Sequence, residues 1–279
     1  MTFRSFIFVV LAAALLAGCG TLRVENRIGN ANTLAKSGSL GPVRLKTSKF
    51  LLAGFQRVTK TGAPIILYIE GDGFAWVDKY TISRNPTPRN PLALKLAAAD
   101  QSDNVIYLSR PCQFIDMETE PFCQNKQWTS HRFSRDIING FHETLNWISQ
   151  KYGSAEFHLV GFSGGGAVAA ILAAERQDIL SLRTIGGNLD HAALNTAKNV
   201  SPLTGSINPI NSAARTQNIP QIHYSGAKDT VVPAWISARY VQAVGNSSCA
   251  TAKIISGASH LEGWESLWPK LGHDIPPPC

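Results

Sequence analysis

The stretch HLVGFSGGGAVAAILAA, from His158 to Ala174, surrounds a single serine, Ser163, with glycine. An apolar, strand-like run at 156–162 leads into the serine, and an alanine-rich run at 165–177, which favours a helix, follows it. A serine at a sharp strand-to-helix turn has a strained backbone and leaves little room for neighbouring side chains, which accounts for the glycines. Such a turn lifts the hydroxyl above the sheet edge, at the positive end of the helix dipole. The pattern Gly-x-Ser-x-Gly therefore predicts a nucleophile; a glycine-rich turn without chemistry is the alternative.

Strands and helices alternate along the rest of the chain. Strands are predicted at 49–58, 64–70, 104–110, 156–162, 182–187, 220–226 and 252–257. Helices are predicted at 90–100, 134–153, 165–177, 191–199 and 233–244, and again after 260. The helix at 134–153 has one apolar face, formed by Ile137, Phe141, Leu145, Ile148 and Tyr152. The alternation predicts an α/β fold: a mostly parallel sheet covered by helices on both faces, with binding residues beyond the carboxyl ends of the strands.

Two candidate partners for the serine are residues that each follow a later predicted strand. A serine hydroxyl needs a base to remove its proton, and the base needs an orienting carboxylate. Of seven histidines, His260 follows the last predicted strand on a loop that enters a helix. Asp229 follows the strand at 220–226, and Asp190, after the strand before it, is the second choice. Turn or helix capping is the alternative role for any of the three.

The order Ser163, Asp229, His260, with each residue just after a predicted strand, resembles the α/β-hydrolase superfamily from about residue 50 to the end of the chain. The resemblance implies an α/β-hydrolase fold and a catalytic triad in which Ser163 attacks, His260 transfers the proton and Asp229 orients the histidine. From it we expect a serine hydrolase that acts through an acyl-enzyme.

The same resemblance implies an oxyanion hole made of two backbone N–H groups. One is that of Gly164, and we assign the other to Asp72 in the loop YIEGDGFAW, with Gly73 as the alternative. Many family members begin this loop with His-Gly, whereas this chain has Glu70 there. A carboxylate there would repel the negative charge that develops in the transition state, unless the carboxylate is paired or turned away. A solvated strand end is the alternative environment for Glu70.

The N-terminus has the features of an export signal. Arg4 precedes an apolar run of signal-peptide length, and LLAGCG resembles the lipobox of bacterial lipoproteins, with Cys19 as the lipidated residue. We expect a signal peptide at 1–18, a tether at 19–45 and an α/β-hydrolase domain at 46–279. The resemblance, with Gly20 after the cysteine, implies an outer-membrane lipoprotein that faces the periplasm; a plain secretory signal is the alternative.

The composition limits the partners and the cofactors. The formal charge is +7, but the positive residues are scattered, so nucleic-acid binding is not expected. No cysteine or histidine spacing is typical of zinc, and no metal or other cofactor is expected. The four cysteines beyond Cys19 allow three pairings, of which Cys112–Cys123 with Cys249–Cys279 closes the shortest loops. Two disulfide bonds suit an oxidising compartment.

The default activity is hydrolysis of a small or medium carboxylic ester by a monomer. A peptidase or thioesterase would use the same groups, and a non-catalytic envelope lipoprotein is the alternative from another class. We expect the loops at 110–134 and 200–218 to line the substrate pocket, and ordinary surface loops are the alternative.

Overall fold

An eight-stranded sheet forms the centre of the molecule. The computed structural model describes residues 24–153, 156–245, 248–272, 276 and 279. The strands are β1 Gly41–Lys46, β2 Leu51–Val58, β3 Ile65–Ile69, β4 Asn104–Leu108, β5 Phe157–Phe162, β6 Ile179–Ile185, β7 Gln221–Gly226 and β8 Ala250–Ile255. Their spatial order is β1-β2-β4-β3-β5-β6-β7-β8. Strand β2 is antiparallel to both of its neighbours and all other pairs are parallel, which confirms the predicted α/β fold.

Helices cover both faces of this sheet. They are α1 (24–37), α2 Leu92–Ala99, α3 Arg135–Tyr152, α4 Gly164–Glu175, α5 His191–Lys198, α6 Trp235–Val244 and α7 Trp264–Leu271. Successive strand residues point to opposite faces. Leu67 of β3 accordingly lies in a core with α3, α4 and α6, whereas Tyr68 lies in a second core with α1, α2 and α7. The predicted apolar face of α3 is buried in the first core, with Tyr152 half-buried at its end.

The tether predicted at 19–45 is wrong for residues 24–45. Helix α1 and strand β1 occupy most of this stretch, and β1 pairs with β2 as an edge strand of the sheet. Ala31 and Ala35, four positions apart, are buried against α2, and a side chain on Gly38 would meet the backbone of Ala98 at 2.4 Å. The polar residues that suggested a tether form the solvent face of the helix. Residues 1–23, including the predicted signal peptide and Cys19, lie outside the described residues.

The other predicted elements are present with shifted ends. Strand β6 covers 179–185 instead of 182–187, and β8 covers 250–255 instead of 252–257. Gly186, with φ 52°, and Gly257, with φ 81°, cannot continue a strand. Helix α2 covers Leu92–Ala99 instead of 90–100, with Pro91 as its N-cap. Of the helices in the described ranges, none is both long and apolar enough to cross a membrane.

Two disulfide bonds join Cys112 to Cys123 and Cys249 to Cys279. They confirm the pairing that closes the shortest loops. The first lies in the long connection between β4 and α3, and the second ties the C-terminal residue to the start of β8.

Candidate active site

Ser163 occupies the turn between β5 and α4. Its backbone, at φ 51° and ψ −116°, lies in a region that non-glycine residues rarely adopt. The turn needs its glycines because helix and strand approach closely there. A Cβ atom on Gly161 would lie 2.4 Å from the carbonyl oxygen of Gly165, and one on Gly165 would lie 2.2 Å from that of Ile69. The glycines of the sequence motif thus allow the strained turn that presents Ser163.

The two residues predicted to assist the serine lie beside it. Nε2 of His260 is 3.1 Å from Oγ of Ser163, and Nδ1 of His260 is 2.8 Å from Oδ2 of Asp229. Oδ1 of Asp229 accepts the N–H groups of Val231 and Val232, each at 2.8 Å. These bonds fix the carboxylate, so its other oxygen faces the imidazole. The three side chains, from the ends of β5, β7 and β8, form one hydrogen-bonded line.

A glycine after β6 makes room for this line. Gly186 adopts φ 52°, and a Cβ atom there would lie 3.0 Å from Oδ2 of Asp229 and 3.2 Å from Nδ1 of His260. The imidazole packs on its other neighbour, Phe162, with ring centroids 5.1 Å apart. Because both positions restrict the imidazole, its orientation depends on packing as well as on hydrogen bonds.

Asp190, the second-choice acid, has a different role. Its Oδ1 accepts the N–H of Ala193 as the N-cap of α5 and also accepts the side-chain amide of Asn208. Its Oδ2 pairs with Arg239 at 3.1 Å. The capping alternative therefore holds for Asp190.

The loop after β3 brings Asp72 beside the serine turn. A Cβ atom on the preceding Gly71 would lie 3.3 Å from Cβ of Ser163, so the two segments are in contact. Gly164 is the first residue of α4, where N–H groups have no partner within the helix. In the described part of the chain, neither its N–H nor that of Asp72 donates a hydrogen bond. Both predicted oxyanion donors thus border Ser163.

The side chain of Asp72 forms two ion pairs that were not predicted from the sequence. Its carboxylate pairs with Nη1 of Arg132 at 2.6 Å and with Nη1 of Arg110 at 3.1 Å. It lies against the N-terminus of α4, since a Cβ atom on Gly164 would be 2.1 Å from Oδ1. Burial by itself would raise the pKa of Asp72, but the two guanidinium charges outweigh it and lower that pKa. The cluster of one anion and two cations carries a net positive charge beside the oxyanion donors.

Glu70 is turned away into the protein. It is 1% exposed, so a solvated strand end is wrong for this residue. Its carboxylate accepts the N–H of Gly71 at 2.9 Å, that of Ala93 at 3.4 Å and the hydroxyl of Tyr107 at 3.2 Å. Burial raises the pKa of Glu70 to about 7, against the opposing effect of these hydrogen bonds. Hydrogen bonding at the start of α2 accounts for a carboxyl group at a position where the family often has histidine.

Ser163 opens into a cleft of about 760 Å³. Its walls come from the loop after β3, the end of the β4–α3 connection, helix α5 with the residues after it, and the turn after Asp229. The prediction for the loop at 110–134 holds for its end, where Thr129, Ser130 and Arg132 line the cleft. The prediction for 200–218 holds only for 200–203, because 209–216 forms a 3₁₀ helix against α4 and α6.

Comparisons with known proteins identify the family and the fold. The profile of a family described as Serine hydrolase (FSH1) matches residues 91–257, a range that includes Ser163 and Asp229 and ends before His260. The sequence matches none of the curated proteins with which it was compared.

Among solved structures, an esterase from Pyrococcus furiosus has a TM-score of 0.58 at 14% identity, over 84% of this chain and 88% of that one. A protein described as a membrane phospholipase A and a bacterial virulence factor has a TM-score of 0.55 at 15% identity, over 93% of each chain. The esterase domain of a Rhodothermus marinus protein has a TM-score of 0.55 at 15% identity, over 84% of this chain and 96% of that one. At these identities the likeness concerns the fold alone.

Proposed function

The chain belongs to the FSH1 serine hydrolase family, and we propose that it cleaves carboxylic esters through an acyl-enzyme formed on Ser163. The observation that carries this proposal is the continuous line from Asp229 through His260 to Ser163, next to two N–H groups that donate no hydrogen bond among the described residues. These are the nucleophile, base, orienting acid and oxyanion donors that acyl transfer needs.

In the first half of the reaction, Oγ of Ser163 attacks the ester carbonyl carbon while Nε2 of His260 takes its proton. The negative charge that develops on the carbonyl oxygen is bound by the N–H groups of Gly164 and Asp72. As the tetrahedral intermediate collapses, His260 returns the proton to the leaving alkoxide and an alcohol departs.

In the second half, water replaces the alcohol. His260 removes a proton from the water as it attacks the acyl carbon, and then returns that proton to Oγ of Ser163, which releases the carboxylic acid. Asp229 orients the imidazole and stabilises the imidazolium through Oδ2. Its two backbone hydrogen bonds hold the carboxylate in place.

The walls of the cleft favour an acyl group with apolar character. Leu194, Leu203 and Val232 line the cleft into which Ser163 opens. An acyl chain placed against them loses contact with water, which contributes about 25 cal/mol per Å² of apolar surface buried. Short polar acyl groups lack this contribution.

We further propose that the chain is exported as a lipoprotein, with the signal at 1–18 removed and Cys19 carrying the lipid, and that it acts as a monomer in the periplasm. The two disulfide bonds support an oxidising compartment. Partition of the full-length product into a detergent phase, and its loss in Cys19→Ser, tests the anchor; a Cys19→Ser chain that stays in the detergent phase would contradict it.

The first experiment needs no knowledge of the substrate. A fluorophosphonate probe is added to the chain that begins at Gly20, next to its Ser163→Ala and His260→Ala variants. We expect labelling of the parent, none of Ser163→Ala and a large loss for His260→Ala, with unchanged circular dichroism spectra.

A panel of esters, thioesters and amides with one common acyl group then ranks the bond types. We expect the highest kcat/KM for oxygen esters. A folded parent that does not label and turns over no member of the panel favours the non-catalytic binding protein, and a preference for amides favours the peptidase.

A further inference from the structure

Large apolar side chains are exposed around the mouth of the active-site cleft. We call this set the rim: Trp76, Val77, Tyr80, Val200 and Val231. All except Val77 line the cleft that contains Ser163, and Val77 follows Trp76 directly. Tyr80 is 83% exposed and Val231 53% exposed. Single exposed apolar residues are ordinary, but a group around one opening indicates a binding surface.

Three of the five rim residues belong to the tip of an ordered hairpin. Backbone hydrogen bonds from Val77 to Thr81 and from Ser83 to Ala75, with a bridge between Trp76 and Ile82, form its two arms. Oδ1 of Asp78 accepts the N–H groups of Tyr80 and Thr81 and closes the turn. The hairpin thus has an ordered turn that keeps its aromatic side chains exposed to solvent instead of packed in the apolar core.

Positive charge accompanies the rim. Lys79 and Lys198 line the cleft mouth and are exposed, and Arg84 is exposed on the returning arm of the hairpin. The acidic side chain at the tip, Asp78, is engaged with the backbone of the turn. Asp72 lies deeper and is paired with two arginines. Aromatic tips flanked by lysine and arginine suit the boundary between an anionic lipid headgroup layer and its acyl chains.

The N-terminal helix places the start of the domain on the same side. Arg27, in the first described turn of α1, donates to the carbonyl oxygen of Thr87 at 2.9 Å and stacks on Phe74, at the base of the hairpin. Five residue steps separate Cys19 from residue 24. Five residues span at most about 18 Å in any conformation, so a lipid on Cys19 would keep the base of the hairpin close to the membrane.

From these observations we infer that the rim docks on an anionic phospholipid surface, with the cleft mouth facing that surface, so that Ser163 receives ester substrates from the lipid layer. The docking stands on the exposed rim and its charges; the delivery of substrate to Ser163 rests on the proposed function. A soluble ester would need only the cleft, whereas an apolar rim around the mouth also binds the surface in which a lipid ester is dissolved.

Vesicle binding tests the inference without catalysis. The Ser163→Ala chain that begins at Gly20 contains every described residue and has no Cys19, so its binding reports the protein surface alone. It is sedimented with vesicles of phosphatidylcholine and with vesicles of phosphatidylcholine and phosphatidylglycerol at low and at physiological salt. We expect binding to the anionic vesicles at least about tenfold tighter than to the neutral ones, and weaker binding at high salt.

Matched variants distinguish vesicle binding through the rim from nonspecific adsorption of the protein to vesicles. Val77→Ser with Tyr80→Ser should weaken anionic vesicle binding by about tenfold or more. Ile254→Ser is the control, because Ile254 is 66% exposed on the edge strand β8 and does not line the cleft. Lys79→Glu with Lys198→Glu should reduce the preference for anionic vesicles, whereas Lys60→Glu, at the amino end of β3 and therefore at the opposite sheet edge, should not.

Three results would overturn the inference: no vesicle binding by the parent, equal weakening by Ile254→Ser, or a dimer in solution that the rim variants convert to a monomer. Unchanged circular dichroism spectra of the rim variants show that these variants fold. If the parent binds vesicles but the chain with Ser163 is not labelled by the fluorophosphonate, the docking stands and the proposed function fails.

Discussion

Nη1 of Arg132 lies 2.6 Å from Oδ2 of Asp72, although sixty positions separate the two residues along the chain. The contact joins the loop after β3 to the end of the β4–α3 connection. Arg110, from the start of that connection, binds the other oxygen of Asp72. Two loops at the same sheet edge are thereby held together next to the serine turn. The side chain of Asp72 thus holds in place the backbone N–H that we assign to the oxyanion.

Arg132→Gln should lower kcat by about tenfold to a hundredfold and change KM by less than about threefold. Loss of one oxyanion donor costs about a hundredfold or more, and a loosened donor loses part of that. Steady-state kinetics with an ester measures the effect, and a carbonyl transition-state analogue should lose affinity in parallel with kcat. Arg135→Gln is the control, because Arg135 is exposed and pairs with Glu175 away from the cleft. An unchanged kcat in Arg132→Gln would contradict a role for the ion pair.

Gly186→Ala should lower catalytic activity more than it lowers the stability of the fold. The new Cβ would lie 3.0 Å from Oδ2 of Asp229 and 3.2 Å from Nδ1 of His260, so both side chains must shift by a few tenths of an ångström. Gly245→Ala is a matched control, since Gly245 also has positive φ but no heavy atom within 4 Å of its Cβ position. Both variants should lose about 1 kcal/mol of unfolding free energy from backbone strain. Only Gly186→Ala should lose more than about tenfold in kcat/KM; equal kinetics in the two variants would disprove the close-contact argument.

Glu70 should make stability depend on pH. Its pKa is raised from 4.5 to about 7 by burial, so the folded protein holds the proton more tightly than the unfolded chain. The contribution of this group to stability is complete below pH about 4.5 and declines as the pH rises to about 7, by at most about 1.4 kcal/mol per pH unit. Urea unfolding at pH 5, 6, 7 and 8 measures it. Glu70→Gln keeps a hydrogen-bond acceptor and cannot ionise, so its stability relative to the parent should increase with pH; parallel curves would contradict the raised pKa.

Removal of the two disulfide bonds should have different consequences. The Cys112–Cys123 bond closes a loop of 11 residues, and its loss should cost about 2–3 kcal/mol of unfolding free energy. It also stiffens the connection that carries both partners of Asp72, so kcat should fall when both cysteines are changed to serine. Replacement of Cys249 and Cys279 should lower stability with kcat unchanged, because that bond holds the C-terminus. Equal kcat losses in the two double variants would show that the effect is not local.

The sequence was informative wherever local chemistry and strand periodicity act alone. Ser163 was identified from the glycines around it, because few other residues fit a strained strand-to-helix turn. Asp229 and His260 were identified from their positions just after strands, because parallel strands end at the same sheet edge. The sequence was misleading at 24–45, since a helix that buries two alanines and exposes polar residues has the composition of a linker.

The tertiary structure decided what depends on contacts between distant segments. The pairing of Asp72 with Arg110 and Arg132 could not be predicted from the sequence, because ion pairs between loops follow no regular period or spacing. The burial of Glu70 depends on α2 packing over it, and the need for glycine at position 186 depends on where Asp229 and His260 meet. The sequence by itself therefore determined the fold class and the three candidate catalytic residues, through backbone sterics and the periodicity of buried side chains. Only the packed chain determined the charge balance around them and the apolar rim of the cleft, because both arise from segments that meet in space alone.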